Sequence, residues 1–405
     1  MKQFLALLAF AGLLSAEAQT FTTWRMAEGL PTDDLRDVAV APNGTIWLAT
    51  GAGVVSFNGS TFTTYTAATS PGLVNDDVYA IAVMSNGDVW AGTDFGASRY
   101  DGSSWTAFTT ADGLGDNEVK NIKQAPNNDI WFATINGATR RTGAGDFTAF
   151  GSPDIPFGGA THVAFASNGD VLLGGGLGGV IVYNGSAFTA ITMADGLLSN
   201  RIRSIAVDAQ QSKWVGTAEG VSVLDASNVH SADHEHVFIL PPPDELNPIT
   251  DMLVDNAGRI WAGVYVDYLV TVGGVSVYAN GAWSQYEEPD GLAGPNVRRL
   301  AKDASNSIWV ATSTGLTRIS NITIGIDERT AGRFRLFPNP ASTMVEVALE
   351  APEVNAPAEV LDASGRAVLT ERVSGQRLRF DVSVLKAGLY VMRIGDEAVR
   401  FAVER

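Results

Sequence analysis

The amino-acid sequence predicts an all-β protein in which seven copies of one four-stranded unit precede a smaller β domain. Three observations support this prediction. One segment recurs seven times between residues 29 and 319, as IWLAT, VWAGT, IWFAT, VLLGG, KWVGT, IWAGV and IWVAT. Its copies lie 41 to 48 residues apart, a period typical of four-stranded blades arranged in a ring. Beyond residue 333, short alternating apolar and polar runs replace the repeat, as expected of a small β-sandwich.

Each repeat contains four short apolar runs, as the second copy shows. Its runs cover residues 78–83, 89–93, 97–100 and 104–109. Asn-Gly and Asp-Gly pairs between such runs supply the positive backbone angles that short hairpin turns require. We therefore predict a seven-bladed β-propeller over residues 19–320, with strands a to d in every blade.

The first residues of the predicted propeller resemble the fourth strand of other repeats. Residues 20–30, TFTTWRMAEGL, match TFTTYTAATSPGL at 61–73, SWTAFTTADGL at 104–114 and AFTAITMADGL at 187–197. The seventh repeat lacks such a strand after Ile319. The N-terminal strand is thus expected to complete the last blade, which closes the ring and leaves no open inner edge.

The recurring large aromatic residues predict the core. They are Trp47, Trp90, Trp131, Trp214, Trp261 and Trp309, with Leu172 in the fourth repeat. Because they follow the repeat period, we expect these side chains to pack between neighbouring blades rather than to form a sugar-binding surface.

The N-terminus and the composition indicate export. Lys2, the apolar run 4–14 and the small residues around Ala16 and Ala18 predict a secretion signal over residues 1–18. The chain has no cysteine and a net charge of -17. This charge disfavours nucleic acid as a partner, since phosphate binding needs clustered Lys and Arg.

The repeat resembles a known family. Its pattern of Gly-Leu, then Ile or Val before Trp, then Ala or Gly with Thr, and a following Gly is similar to the two-component regulator propeller repeat. In that family the repeats form the extracellular ligand-sensing propellers of hybrid sensor kinases, often linked to polysaccharide use. The resemblance implies a propeller that binds a ligand outside the cell.

The end of the chain resembles a second family. After a polar linker at 321–333, residues 334–405 contain Phe337-Pro338-Asn339-Pro340, an Asp-Ala-Ser-Gly-Arg segment at 362–366 and Lys386-Ala387-Gly388-Leu389-Tyr390. These motifs resemble the C-terminal sorting domain of the type IX secretion system. The resemblance implies the type IX machinery as a partner, removal of the domain, and in many cases attachment to lipopolysaccharide. It places the protein on the outer-membrane surface of a Gram-negative bacterium or in the medium.

A rim of charged residues is predicted on one face of the propeller, where the d-to-a and b-to-c connections lie. The repeat alignment places Asp34, Asp77, Glu118, Arg201 and Asn296 at one loop position, and Arg36, Tyr79, Lys120, Arg203 and Arg298 two residues later. Such groups can hydrogen-bond sugar hydroxyls or peptide groups, or simply solvate the surface and pair with one another. We select Asp34, Asp77, Arg203 and Arg298 as ligand-binding candidates.

Two insertions offer further candidates. The sixth repeat has an extended b-to-c loop with Tyr265, Asp267 and Tyr268, which can bind a sugar or form a longer hairpin that packs on its neighbour. The fifth repeat contains His230, His234 and His236, which can hold a transition metal. A solvated c-to-d loop on the opposite face is the favoured interpretation of these histidines. His162 near the channel mouth can act as a general base or as a hydrogen-bonding cap.

No nucleophile elbow, phosphate loop or zinc helix motif occurs in the sequence, so it predicts no cofactor and favours a non-enzymatic role. The leading hypothesis is an exported propeller that binds a glycan or protein. One alternative is an extracellular polysaccharide hydrolase or lyase that uses Asp77 with Asp94, or Asp34 with Asp267, provided that the fold brings the carboxylates close together. The other is an extracellular sensor subunit for a separate membrane kinase.

Overall fold

A computed structural model describes residues 19–155, 159–238, 247–266, 272–322, 334–337, 341–349, 356–361, 366–386, 388–394 and 397–403. The predicted secretion signal lies outside these ranges, as does most of the predicted linker. The chain divides into two compact units, Met1–Thr323 and Ile324–Arg405. Within the described ranges, no helix has the length and apolar character to cross a membrane.

The first unit contains seven four-stranded antiparallel sheets, which are the blades of a β-propeller. Blade 1 consists of β2 (Leu35–Val40), β3 (Ile46–Thr50), β4 (Gly53–Phe57) and β5 (Phe62–Tyr65). Blade 2 consists of β6 (Val78–Val83), β7 (Val89–Thr93), β8 (Gly96–Tyr100) and β9 (Trp105–Phe108). Blade 3 consists of β10 (Val119–Gln124), β11 (Ile130–Thr134), β12 (Gly137–Arg141) and β13 (Phe147–Phe150). Blades 4 and 5 consist of β14 (Ala160–Phe165), β15 (Val171–Gly175), β16 (Val180–Tyr183) and β17 (Phe188–Ile191); and β18 (Ile202–Val207), β19 (Lys213–Thr217), β20 (Gly220–Leu224) and β21 (His230–His234). Blades 6 and 7 consist of β22 (Ile249–Val254), β23 (Ile260–Val266), β24 (Val272–Ala279) and β25 (Ala282–Tyr286); and β26 (Val297–Lys302), β27 (Ile308–Thr312), β28 (Gly315–Ser320) and β1 (Thr20–Trp24).

Short 3-10 turns recur where strand d leads into the next blade. They cover Met26–Glu28, Thr110–Asp112, Met193–Asp195 and Glu288–Asp290. A glycine follows each turn, and at three of the four it adopts the left-handed conformation. The Gly-Leu part of the repeat is therefore the signal that ends this turn and returns the chain to the channel.

The N-terminal strand β1 closes the ring by pairing with β28. The register runs antiparallel from Thr20 opposite Ser320 to Trp24 opposite Leu316. The ring of Trp24 stacks on Trp309, with centroids 5.4 Å apart. The sequence match between residues 20–30 and the other fourth strands thus has a direct counterpart in the seventh sheet.

The tryptophan series forms the core, as predicted. The six reference tryptophans are 0% to 8% exposed, which leaves no ring face for a sugar. Trp90, for example, packs with Val119, Ile122 and Phe132 of the next blade. Burial of each such side chain contributes about 2–3 kcal/mol before the conformational entropy of folding is subtracted.

Blades 5 to 7 fix their tryptophans with an additional hydrogen bond. The indole Nε1 of Trp261 donates to Asp255 Oδ2 at 3.0 Å, and Trp214 and Trp309 bond in the same way to Asp208 and Asp303. Blades 1 to 4 have alanine or methionine at the matching turn position. An aspartate in this turn therefore satisfies a polar group that would otherwise be buried alone.

The second unit has two antiparallel sheets with strands β29 (Phe334–Phe337), β30 (Met344–Leu349), β31 (Pro357–Leu361), β32 (Ala367–Arg372), β33 (Arg377–Asp381), β34 (Gly388–Ile394) and β35 (Glu397–Val403). The sheet orders are β29-β30-β33 and β32-β31-β34-β35. Val345 and Phe380 of the first sheet share one core with Val360 and Met392 of the second. The unit is therefore a small β-sandwich.

Candidate functional site: the funnel face of the propeller

The funnel face is the end of the propeller at which the b-to-c hairpins and the d-to-a connections meet. A cavity of about 860 Å³ opens there around the central channel. The charged residues that line it are Asp34, Arg36, Lys120, Arg201, Arg203, Arg298 and Arg299; the others include Tyr79, Ile135, Thr161, Gly176, Thr250, Tyr265 and Asn296. The described lining therefore carries six cationic side chains and one acidic side chain, in a chain whose net charge is -17.

Ion pairs between neighbouring blades join one side of the rim, which we term the paired arc (blades 7, 1, 2 and 3). Arg298 Nη1 lies 2.9 Å from Asp34 Oδ1, and Arg36 Nη1 lies 2.6 Å from Asp77 Oδ1. Lys120 Nζ donates to Asp94 Oδ1 at 2.7 Å. Acid and base thus neutralise each other across the blade boundaries.

Tyr79 forms the centre of the paired arc. Its hydroxyl donates to Asp77 Oδ2 at 2.7 Å, and this hydrogen bond raises the pKa of the phenol. The guanidinium of Arg36 lies 4.4 Å and the ammonium of Lys120 4.7 Å from the ring centroid. These cation–π contacts occupy the ring and hold both cations at the cavity wall.

The other side of the rim, which we term the open arc (blades 4 to 6), has a different composition. It presents Thr161 of blade 4, Arg201 and Arg203 of blade 5, and Thr250 and Tyr265 of blade 6. Arg201 is exposed and makes no ion pair within the described part of the chain. The open arc therefore presents Arg201 as an exposed cation, whereas Asp34, Asp77 and Asp94 neutralise three cations of the paired arc.

Beneath the rim, polar side chains connect the inner strands of adjacent blades. Asp37 Oδ2 accepts a hydrogen bond from Ile81 N at 2.9 Å, and Asp251 Oδ2 accepts one from Leu300 N at 2.9 Å. Asn121 Oδ1 accepts from Val163 N at 3.1 Å in the same manner. Each bond satisfies an inner-strand N–H of the following blade, so these buried polar residues join the blades.

Two titratable groups in this channel have perturbed pKa values. Burial raises the pKa of Asp37 to about 6, although Arg299 opposes the shift. Burial also lowers the pKa of His162 to about 3, which keeps the imidazole neutral and weakly basic. Both residues line a second cavity of about 410 Å³, and Arg299 lines this cavity and the funnel. Such weak basicity does not favour His162 as a general base.

The structure distributes the predicted ligand-binding residues as follows. Asp34, Arg203, Arg298 and Tyr265 line the cavity. Asp77 stands behind its wall, where it holds Arg36 and Tyr79. Asp267 and Tyr268 lie outside the described residues. The site thus combines the rim residues with the base of the blade 6 insertion.

The placement of the blade 5 histidines was wrong in one respect. His230–His234 form strand β21 rather than a c-to-d loop, because the turn between strands c and d closes earlier, at Asp225–Val229. His234 stacks on Trp214, with centroids 5.5 Å apart, and burial lowers its pKa. His236 is exposed. Over the described ranges, no group of three or more His, Asp or Glu side chains is arranged to hold a metal ion.

Sequence reasoning did not identify a set of exposed apolar residues beside the cavity. Phe95, Ile135 and Leu177 occupy the b-to-c hairpins of blades 2, 3 and 4. The repeat alignment contains a signal for them, because the matching hairpins of blades 1, 5 and 7 have no large apolar residue and read Gly-Ala, Ala-Glu and Ser-Thr. In blades 2 and 3 the tips are the two residues within the repeated Thr-x-x-Gly segment, whereas residues 175–179 of blade 4 read Gly-Gly-Leu-Gly-Gly.

Known proteins are similar to both units of the chain. The secretion system C-terminal sorting domain matches residues 335–403. PorZ, described as an essential surface component of the type IX secretion system of Porphyromonas gingivalis, superposes with a TM-score of 0.59 at 17% identity, over 93% of this chain and 60% of PorZ. A comparison with curated proteins gave no match.

Two further solved structures share the fold. The extracellular domain of BT3049 of B. thetaiotaomicron, described as a hybrid two-component system, gives a TM-score of 0.65 at 17% identity, over 96% of this chain and 58% of that one. Virginiamycin B lyase of Staphylococcus aureus gives 0.59 at 14% identity, over 75% of this chain and 99% of the lyase. The chain spans about three-fifths of the length of PorZ and of the BT3049 domain.

The fold and the sorting domain together define the class of the protein. The seven antiparallel sheets and the structural neighbours show a β-propeller. The C-terminal sorting domain shows that the type IX system exports the chain to the cell surface or the medium. The protein is thus an exported propeller with a type IX sorting domain.

Proposed function

We propose that this exported propeller is a recognition protein that binds a glycan or protein ligand in its funnel. The observation that carries the proposal is the asymmetry of the cavity. Three ion pairs fix one wall. On the other wall Arg201 is exposed and makes no ion pair within the described residues. A cavity with a rigid side and accessible polar groups is typical of a binding site.

The rim carboxylates have a structural role in this proposal. Asp77 is engaged by Arg36 and Tyr79, and Asp94 by Lys120. These contacts place the carboxylates in the wall between blades, where they orient the cations that face the cavity. No contact of the described rim favours the hydrolase or lyase alternative.

The experiment is a binding assay of the purified protein on a glycan array and a peptide array, with reducing-end release measured for every glycan that binds. Asn296→Trp fills the cavity from blade 7 without altering the backbone bond from Ser313 N to Asn296 O. Ser227→Trp, in the exposed turn of blade 5 on the opposite face, is the matched control.

We expect binding without release, lost in Asn296→Trp and retained in Ser227→Trp. Failure to bind either array, or equal binding by the two variants, would contradict the proposal. Release of reducing ends would support a hydrolase or lyase instead.

A further inference from the structure

Three exposed apolar residues on the funnel face lie in the b-to-c hairpins of consecutive blades. Phe95, Ile135 and Leu177 are 60%, 39% and 56% exposed and occupy equivalent hairpins of three consecutive blades. Ile135 and Gly176, the neighbour of Leu177, also line the cavity. We term these three side chains the apolar arc. A cluster of exposed large apolar side chains beside a cavity indicates an interaction surface.

The apolar arc adjoins the blade that carries the exposed Arg201. Blade 4 carries Leu177, and blade 5 carries Arg201 and Arg203. The arginines of the paired arc already contact Asp34 and Asp77. A ligand that covers the apolar arc therefore reaches Arg201 next, and an anionic group on that ligand complements its charge.

The side chains of the apolar arc favour a peptide over a sugar. Sugar rings stack on aromatic faces, but Phe95 is the one aromatic residue of the apolar arc, since Ile135 and Leu177 are aliphatic. Cations cover the ring of Tyr79 at 4.4 Å and 4.7 Å. Aliphatic surface gains most from burial against other apolar side chains. The combination of aliphatic and cationic groups matches a segment that carries both apolar side chains and carboxylates.

We infer that the funnel face receives an acidic, apolar peptide segment of another protein. Its carboxylates enter the cavity toward Arg201, and its apolar side chains cover Phe95, Ile135 and Leu177. This inference rests on the proposed function, since it names the class of ligand for the same cavity.

The test starts from random peptides displayed on phage and selected on the purified full-length protein. We expect enrichment of peptides that contain both Asp or Glu and Leu, Ile or Phe. An enriched peptide is then labelled, and its Kd is measured by fluorescence anisotropy at low and at high salt. Binding should weaken at high salt, because the carboxylate contacts lie at a partly exposed rim.

Variants separate the two parts of the surface. Arg201→Ala and Leu177→Ser should each weaken binding by about tenfold, the loss expected of one charge-assisted hydrogen bond or one buried aliphatic side chain. Arg99→Ala and Val229→Ser are matched controls. Arg99 pairs with Asp88 at the opposite face, and Val229 is 61% exposed there. Both controls should bind like the wild type.

Three outcomes overturn the inference. Selection of basic or purely polar peptides, or of none, contradicts the inference that the ligand is an acidic, apolar peptide. Peptide binding that is unchanged in both Arg201→Ala and Leu177→Ser contradicts the inference that the ligand binds to this surface. If the protein binds oligogalacturonate but no peptide, and Arg201→Ala abolishes that binding, the ligand is an anionic glycan rather than a peptide. In that case the proposed function of the funnel as a binding site still holds.

Discussion

The paired and open arcs of the rim are built from equivalent repeat positions but have different environments. In blades 1 and 3, an acid is followed two residues later by a base, as in Asp34 with Arg36 and Glu118 with Lys120. In blade 5 both positions are arginine, Arg201 and Arg203. The repeat therefore fixes where the side chains lie, and departures from its charge pattern determine the charge that each part of the rim presents.

The largest expected effect concerns closure of the ring within the paired arc. Removal of residues 20–28 deletes β1 and the contacts of Phe21 and Trp24 with blade 7 and its neighbours. We expect a loss of at least about 3–5 kcal/mol, because the deletion removes the half-buried Phe21 and Trp24 together with the hydrogen bonds between β1 and β28. The measurement is the melting temperature of the propeller transition. Removal of residues 334–405 is the control. Equal melting temperatures for the full-length protein and the variant without residues 20–28 would contradict the closure of the ring by β1.

The second effect concerns the channel beneath both arcs. The pKa of Asp37 is raised from 3.8 to about 6 by burial. The protonated form is therefore favoured in the folded state, and its stabilisation is present below about pH 4 and lost as the pH rises through about 6. Arg299 and Lys123 act against the shift, and Asp251 adds to it.

Asp37→Asn isolates this contribution. Asn121 joins blades 3 and 4 through the same kind of bond without a charge, so asparagine fits this position. The free energy of unfolding of the variant minus that of the wild type should rise by up to about 3 kcal/mol between pH 4 and pH 7. Urea denaturation at several pH values measures it. A difference that does not change with pH would refute the assigned shift.

The smallest effect distinguishes the paired arc from a binding surface. Asp77→Asn removes the ion pair with Arg36. The side chain of Asp77 is 42% exposed and that of Arg36 is 21% exposed. Partly exposed pairs contribute about 0.2–1 kcal/mol. We expect a decrease in stability of that size and an unchanged Kd for the selected peptide. A tenfold weaker Kd with unchanged stability would place Asp77 in the binding surface instead.

The sequence predicted the architecture because the repeat period, the buried tryptophans and the Asn-Gly turns are local signals that recur. It could not predict which side chains would pair across the rim. Asp34 lies 2.9 Å from Arg298 of blade 7 and 4.0 Å from Arg36 of its own blade. Which of the two arginines is nearer depends on how adjacent blades are placed, and the sequence does not show this. For His230–His234, cross-strand pairing with β20 decided between strand and loop.

The exposed apolar arc illustrates the same limit. Phe95, Ile135 and Leu177 are visible in the sequence, but only the structure shows that these hairpin side chains are exposed. Large apolar residues are normally assigned to the core when only the sequence is known. Their clustering on one face becomes apparent only when consecutive blades are placed side by side.

Arg201→Glu tests directly whether the open arc binds the ligand. It gives blade 5 the acid-then-base order of blade 3, where Glu118 lies 3.4 Å from Lys120, and so converts the open arc into a paired one. We predict a melting temperature equal to that of the wild type and a loss of binding to the selected acidic peptide of about a hundredfold or more, since a favourable charge contact becomes a repulsive one. Wild-type affinity in a folded Arg201→Glu protein would contradict the central claim that the open arc forms the binding site.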